Sequence, residues 1–223
     1  MSIRKINFVE GEYYHIYNRG NGKQKIFHDN QDYRHFIDLL YILNTKQNLN
    51  LFHLGRSSTF DVYNIDITDK LVSVGAYCIM PNHFHILITQ ISENGISKFM
   101  QKLSTAYVMY YNKKYKRTGS LFEGKFKSEH VSDDIYLKYL YSYIHLNPIK
   151  LINNKWKEEG IEDKNEAIKY LNQYKYSSYL DYFGVDRVQN KILNTDNFPK
   201  YFKTKDNFKK EIFEWLSYNS KMH

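Results

Sequence analysis

The stretch YCIMPNHFHILI, residues 77–88, places two histidines inside a run that is otherwise almost wholly apolar. The apolar segments on either side of the Pro-Asn pair predict two buried strands, and that pair predicts the tight turn of a hairpin between them. Side chains two residues apart on a strand share a face. His83 and His85 are therefore expected on one face of the sheet, with Phe84 on the other.

Two imidazoles side by side on one strand face form half of a divalent-metal site. An arbitrary His-x-His pair is more often a pair of hydrogen-bonded core or surface histidines, so both interpretations stay open on this motif alone. The apolar flanks and the rigid turn favour a site because they would hold the rings in place. A third ligand has to come from elsewhere. His15 is interpreted as a strand residue without a special task, and His130 as either a supporting or a surface residue.

The remaining patterns give the order strand, helix, strand, strand, helix, strand, helix. The first strand ends at the turn signal of Gly20, and the last helix starts at Ser132 or Asp133 and stops before Pro148. Residues 50–70 are predicted as a loop with a short strand. The order indicates an α+β fold with one ferredoxin-like antiparallel sheet and the helices packed on one face.

The character of the sequence changes at about residue 151, where a polar and lysine-rich helical pattern begins. We therefore predict a domain at residues 1–150 and a helical C-terminal extension at residues 151–223. The single cysteine, Cys78, excludes an internal disulfide framework and fits a reducing cytoplasm, and its apolar surroundings indicate a core residue. No apolar run has the length of a signal peptide or a membrane span, so a soluble cytoplasmic protein without a membrane role is expected.

The charge of the chain favours an anionic partner. The formal net charge is +8 and the isoelectric point is near 9.2, which favours nucleic acid first and a membrane surface second. Tyrosine accounts for 22 of the 223 residues, and tyrosine rings can stack on unpaired bases. A composition rich in lysine and tyrosine is also typical of proteins from AT-rich genomes, so the excess is not specific.

The segment NKKYKRTGSLFEGKFK, residues 112–127, interleaves basic and aromatic side chains. This composition is expected of a groove that follows a single strand of DNA. Any single lysine of this segment could equally be an ordinary solvated residue at a helix end, without a role in DNA binding. The turn NRGNGKQK adds basic residues beside glycines, which suits phosphate contact. The candidate DNA contacts are Arg19, Lys23, Lys113, Lys114, Lys116, Arg117 and Lys125.

Tyr143 and Asn147 lie four residues apart in the last predicted helix, so they share a face one turn apart. Asn147 offers a carbonyl oxygen, a suitable ligand for Mg²⁺ or Mn²⁺. Tyr143 would then hold its phenol about one turn from a bound ion, a geometry that suits attack on a phosphate. A packing role for Tyr143, among several other tyrosines, and an ordinary helix-terminating role for Asn147 before Pro148 remain alternatives.

The motif PNHFHILI resembles the histidine–hydrophobe–histidine motif of the HUH endonuclease superfamily, and YIHLNP resembles the tyrosine helix of the REP-associated tyrosine transposases. These are relatives of the single-tyrosine transposases of small insertion sequences. The opening YYHIYNRG and the downstream YKYSSYLDYFG are also similar, so the resemblance spans residues 13 to about 185. It implies that His83, His85 and Asn147 bind a divalent metal, Mg²⁺ or Mn²⁺, and that Tyr143 is the nucleophile. Insertion-sequence members usually carry glutamine where this chain has Asn147.

The resemblance implies a bacterial transposase that nicks and rejoins single-stranded DNA with hairpin or inverted-repeat structure, through a 5′-phosphotyrosine intermediate. Its partner would be that DNA. The protein would be cytoplasmic, and associated with the nucleoid when it is bound to DNA. A monomer is favoured over a homodimer. Two other functions remain. One is a non-catalytic protein of the same fold that binds single-stranded nucleic acid. The other is a metal-dependent hydrolase that uses His83 and His85 without a covalent step.

Overall fold

The computed structural model describes residues 7–47, 61–161 and 163–217. A four-stranded sheet with the order β2-β3-β1-β4 lies at its centre, and every neighbouring pair is antiparallel. This is the strand order that a ferredoxin-like succession of elements produces, so the predicted α+β class is confirmed. The strands are β1 (Tyr13–Arg19), β2 (Val72–Met80), β3 (His83–Gln90) and β4 (Lys127–Val131).

Three helices are interleaved with these strands in the predicted order. They are α1 (Asn30–Ile42), α2 (Gly95–Lys114) and α3 (Asp134–Leu146). Two of them begin at aspartates whose carboxylates accept hydrogen bonds from free backbone N–H groups of the first turn, Asp29 before α1 and Asp133 before α3. After α3 the chain tightens into a 3-10 turn, Asn147–Leu151. Pro148, which cannot donate a backbone hydrogen bond, marks that change.

The predicted loop at residues 50–70 lies partly outside the described residues, which resume at residue 61. Its remainder contains a short 3-10 turn, Val62–Asn64. Within the described ranges, none of the helices combines the length and the apolar content that a membrane crossing requires.

Helices cover both faces of the sheet, which corrects the prediction that they pack on one face. Helices α1 and α2 cover the face that carries Phe84 and Ile86, whereas α3 packs on the opposite face, against Cys78 and Leu87. The physical reason is visible in β2, where all nine residues are buried. A strand that is apolar on both sides needs cover on both sides, and the near-continuous apolar run at residues 71–80 is typical of such a strand.

Residues after 150 are largely helical, as predicted. Their helices are α4 (Trp156–Glu159), α5 (Lys164–Gln173), α6 (Tyr179–Phe183) and α7 (Lys205–Ser217). They share an apolar cluster with the end of α3 and the following turn, through Leu146 and Ile149. The boundary at residue 150 stays a prediction.

The same part of the chain also covers the free edge of β2. The Ile79 N–H donates to the Tyr176 carbonyl over 2.9 Å, and the Ser178 N–H donates to the Tyr77 carbonyl over 2.9 Å. Farther along, the Asn194 N–H donates to the backbone of the same strand. Because an exposed edge strand is a template for unwanted pairing, these bonds make the extension part of the sheet's protection.

Helices α1 and α2 are joined by a buried carboxylate. Asp32 is fully buried and forms a 2.7 Å ion pair with the Lys114 ammonium. It also accepts hydrogen bonds from the Tyr110 and Tyr115 hydroxyls, at 2.9 and 2.7 Å, and from the His28 N–H. Burial by itself raises the pKa of Asp32, but the ion pair and these bonds outweigh it and hold the pKa below its usual value.

We expect Asp32→Ala to lower the free energy of unfolding by about 3 kcal/mol, because the change removes a buried partner of Lys114 and leaves two tyrosine hydroxyls without their hydrogen-bond acceptor. Urea unfolding followed by circular dichroism measures this. Lys113→Met, at the exposed neighbouring position, serves as the control and should change stability little. Because the pKa of Asp32 is lower in the folded than in the unfolded state, its contribution is present at neutral pH and is lost as the pH falls below about 4. A wild-type–like urea midpoint for Asp32→Ala would contradict this role.

Candidate active site

His83 and His85 lie on one face of β3, as the alternation of the strand predicted, and their ring centroids are 5.0 Å apart. His85 is buried and His83 is half-buried at the end of the strand. The tight turn that precedes them brings Met80 opposite His83 in the hairpin register. The two imidazoles therefore lie on an interior strand of the sheet, which is paired on both sides, rather than on a loop.

A polar neighbour holds each of these rings through its Nδ1 atom. The Nδ1 of His83 hydrogen-bonds the Oδ1 of Asn82 over 2.6 Å, and the Nδ1 of His85 shares a 2.8 Å hydrogen bond with the Nε2 of His15. Because Asn82 Oδ1 can only accept, Nδ1 of His83 carries the proton and its Nε2 is left to bind a metal. The contact with His15 orients the ring of His85, and Nε2 of His85 is likewise left to bind a metal in the tautomer in which His85 donates. Such an arrangement would suit a pair of metal ligands.

Both histidines are neutral near pH 7. Burial lowers the pKa of His83 to about 4, with a further contribution from the positive charge of Lys150. Burial, followed by the neighbouring His15, lowers the pKa of His85 well below its ordinary value. The neutral imidazole is the form that binds a metal ion, so proton competition does not oppose binding at physiological pH.

Helix α3 brings Tyr143 onto this face of the sheet. The centroid of its ring lies 5.5 Å from that of His85 and 6.0 Å from that of His15, and both contacts are edge to face. The side chain is half-buried. Burial raises the pKa of the phenol, and interaction with Asn147 opposes that rise. The phenol is therefore protonated in this state and must lose its proton to act as a nucleophile.

Asn147 lies one turn beyond Tyr143 and is almost fully buried. Its Nδ2 donates to the Tyr143 carbonyl over 3.0 Å, which directs the amide across the end of the helix. Its Oδ1 is buried and accepts no hydrogen bond of ordinary geometry from the residues that the structure describes. The pKa of His83, which burial lowers, is raised in part by Asn147, so the amide also faces that imidazole.

These donors fit a divalent ion. A buried carbonyl oxygen without a partner is costly unless something binds it, and the Asn147 amide faces the His83 imidazole, whose Nδ1 is already bonded to Asn82. One oxygen and two imidazole nitrogens suit Mn²⁺, and suit Mg²⁺ when water or phosphate oxygens complete the shell. Among residues 7–47, 61–161 and 163–217, no group of three or more His, Cys, Asp and Glu side chains has a metal-binding arrangement. The expected third donor here is an amide instead.

His15 contributes to this site, so its interpretation as a strand residue without a special task is wrong. Its ring is buried between His85 and the carboxylate of Glu129, whose Oε2 lies 3.8 Å from the Nδ1 of His15. Glu129 in turn accepts a 2.7 Å hydrogen bond from the Tyr17 hydroxyl. In the sheet Tyr17 pairs with His85, and His15 shares a face with Tyr17. The alternation of β1 therefore places His15 near His85. The sequence indicates this only once the pairing of the strands is known.

The predicted DNA contacts are not gathered in one place. Arg19 pairs with His83 across β1 and β3, beside the site. Lys114 is held by Asp29 and Asp32 and therefore stabilises the packing of α1 on α2; its predicted contact with DNA stays a prediction. The helix that carries it packs on the sheet face opposite the histidines. Exposed positions are occupied by Lys23, Lys113, Lys116 and Lys125, whereas Arg117 is half-buried against the Tyr111 ring.

We expect His15→Phe to weaken Mn²⁺ binding by about 10- to 100-fold, because the ring of His85 loses the hydrogen bond that orients it. Isothermal titration calorimetry measures the change, and circular dichroism checks that the fold is kept. His130→Gln is the matched control. His130 lies on the neighbouring strand, with its side chain exposed and bonded to Glu12, and its substitution should leave Mn²⁺ affinity unchanged. Equal affinities for wild type and His15→Phe would exclude the supporting role.

The family model of IS200-like transposases matches residues 61–147, a range that contains the β2–β3 hairpin, Tyr143 and Asn147. None of the curated proteins matches the chain. A solved structure of a REP-associated tyrosine transposase bound to a REP hairpin is similar at 12% sequence identity, with a TM-score of 0.46, and the likeness covers 85% of this chain and 90% of that one. The resemblance that the motifs indicated is confirmed over residues 61–147, where this chain matches the family model of IS200-like transposases.

Proposed function

We propose that this protein nicks and rejoins single-stranded DNA through a covalent bond to Tyr143. The observation that supports this most is the contact between α3 and β3, which holds the Tyr143 ring edge-on to His85 with centroids 5.5 Å apart. A nucleophile of this kind has to meet the group that activates the phosphate, and a phenol on the next helix meets the prepared histidine pair. The transposase family match is consistent with a reaction on DNA.

In the proposed reaction the Tyr143 oxygen attacks the scissile phosphorus. A bond forms between that oxygen and phosphorus while the bond from phosphorus to the 3′ oxygen breaks, and the proton lost by the phenol is balanced by the proton gained by the leaving 3′-hydroxyl. The products are a 5′-phosphotyrosine and a free 3′ end. One phosphodiester replaces another, so a 3′-hydroxyl can reverse the step and rejoin DNA without an external energy source.

His83, His85 and Asn147 would hold the divalent metal. When bound, such an ion supplies a Lewis acid that polarises the phosphate oxygens. His15 would keep the ring of His85 in its binding orientation, and Glu129 would support His15 from behind. The surrounding apolar core buries the ring of His85, whereas His83 is only half-buried. The shorter side chain of asparagine, relative to glutamine, requires the ion to lie close to α3.

The DNA partner we propose is a single strand with a hairpin. Arg19 lies beside His83, and we propose that it exchanges its ion pair with Glu123 for a phosphate of the DNA at the site. Lys23 lies in the neighbouring turn, where its carbonyl accepts a hydrogen bond from Asn82. Contacts of this type are electrostatic, so affinity should fall steeply with salt. Lys113, Lys116, Arg117 and Lys125 remain proposed contacts for more distant DNA.

We expect Tyr143→Phe to abolish a covalent protein–DNA adduct that wild type forms with Mn²⁺. The substrate is a hairpin oligonucleotide with a single-stranded flank, taken from the DNA next to the coding region and labelled at its 3′ end, because the 5′-phosphotyrosine retains the 3′ fragment. Denaturing gel electrophoresis detects the adduct. Tyr136→Phe is the matched control, since this tyrosine lies two turns earlier on the same helix and is exposed. It should keep adduct formation within a few-fold of wild type.

The alternatives give different outcomes in the same experiment. Metal-dependent cleavage that survives Tyr143→Phe would identify a hydrolase without a covalent step. Binding of the hairpin without cleavage in any divalent metal would identify a non-catalytic binding protein. Full activity of His83→Ala would exclude both metal-dependent functions.

A further inference from the structure

Two lysine ammonium groups flank the ring of Tyr143. The Nζ of Lys157 lies 4.1 Å from the ring centroid and the Nζ of Lys150 lies 5.5 Å from it. Both residues follow α3 in the chain, Lys150 in the 3-10 turn and Lys157 in α4. The segment after α3 therefore folds back and places two positive charges beside the side chain proposed as the nucleophile.

The partly buried position disfavours the charged form of both lysines. Both are half-buried, and burial lowers the pKa of each. For Lys157 the pKa falls to about 8, with Lys150 as the second cause. The carboxylate of Glu158 offsets this in part, but its side chain is exposed. Two like charges kept close together at a partly buried position are typical of a site that binds an anion.

The surrounding packing holds Lys157 in position. The preceding residue, Trp156, is buried in the apolar cluster that contains Leu146 and Ile149, so the start of α4 is anchored against the end of α3. The Nζ of Lys157 also lies 3.5 Å from the Tyr139 hydroxyl. A cavity of about 170 Å³ opens between these elements. Its lining residues are Tyr139, Ser142, Tyr143, Leu146, Trp156, Lys157 and Trp215.

We propose that Lys150 and Lys157 form a phosphate-binding subsite of the active site, through which the segment after α3 holds one phosphodiester of single-stranded DNA against Tyr143. This rests on the proposed function, which makes Tyr143 the nucleophile. A lysine ammonium is a compact charge with three donors, suited to a phosphate oxygen. The same charges would stabilise the phosphate while its bond to Tyr143 forms, and would balance the phosphotyrosine afterwards. The C-terminal extension then has a role in the chemistry as well as in the fold.

The test measures DNA binding without chemistry, in a Tyr143→Phe background with EDTA. The probe is the same hairpin oligonucleotide, prepared as a set in which each phosphate linkage of the single-stranded flank is in turn replaced by an uncharged methylphosphonate. We expect Lys157→Met to weaken binding of the unmodified probe by about tenfold. At one linkage, or at two adjacent ones, the methylphosphonate should lower the affinity of the parent protein by a similar factor. It should lower the affinity of Lys157→Met by much less. Lys157→Arg should restore most of the affinity.

Lys155→Met is the matched control, because Lys155 is an exposed lysine two residues earlier that pairs with Glu159. This variant should lose a little affinity for the probe, and the loss should not depend on which linkage is neutralised. The subsite is excluded if Lys157→Met binds the unmodified probe as tightly as its parent. It is also excluded if the affinity of Lys157→Met falls below that of its parent by the same factor whichever linkage is neutralised. Circular dichroism of each variant checks the fold, and the Lys157→Arg variant separates loss of charge from loss of packing.

The two proposals fail separately. An adduct that depends on Tyr143, together with no linkage-specific effect of Lys157, would leave the proposed function intact and remove the subsite. A linkage-specific effect without any adduct would leave a phosphate-binding lysine pair and remove the nucleophilic role of Tyr143.

Discussion

The packing of α3 across the histidine face of the β2–β3 hairpin is the contact on which the rest of the structure depends. It buries Cys78 and Leu87 on the side of the sheet that α1 and α2 leave uncovered. The same contact sets the ring of Tyr143 against His85 and directs the amide of Asn147 towards His83. The apolar burial that stabilises the fold and the geometry of the candidate site therefore come from one helix–sheet interface. A shift in the register of this helix would disturb both.

The site is built from neutral polar groups that neighbouring residues hold in position. Burial keeps the imidazoles uncharged, and hydrogen bonds at Nδ1 from Asn82 and His15 set their orientation. Among the described residues, the buried Asn147 Oδ1 is left without a hydrogen bond of ordinary geometry. An unmet polar group in a well-packed interior costs free energy, so it is more readily understood as a feature of binding than of stability. Prepared ligands of this kind reduce the reorganisation that binding an ion would require.

Residues after 150 are more closely integrated than an appended region would be. Backbone hydrogen bonds attach residues 176–178 to the edge of β2, and the buried Trp156 anchors α4 against the end of α3. This anchoring places Lys157 over the Tyr143 ring. Sheet protection, core packing and the charge beside the phenol thus come from one stretch of chain. A deletion of the extension would disturb all three together.

The sequence by itself determined the order of the elements, the hairpin at the Pro-Asn turn, the shared face of His83 and His85, and the one-turn spacing of Tyr143 and Asn147. These are local properties, set by the period of the backbone and by turn and cap residues. Tertiary structure alone decided that α3 covers the opposite face from α1 and α2, that His15 supports His85, and that Lys114 is neutralised by Asp32. It also decided that Lys150 and Lys157 lie beside Tyr143. Each of these depends on contacts between residues distant in the chain, and the periodicity of a single segment carries no information about what will pack against it.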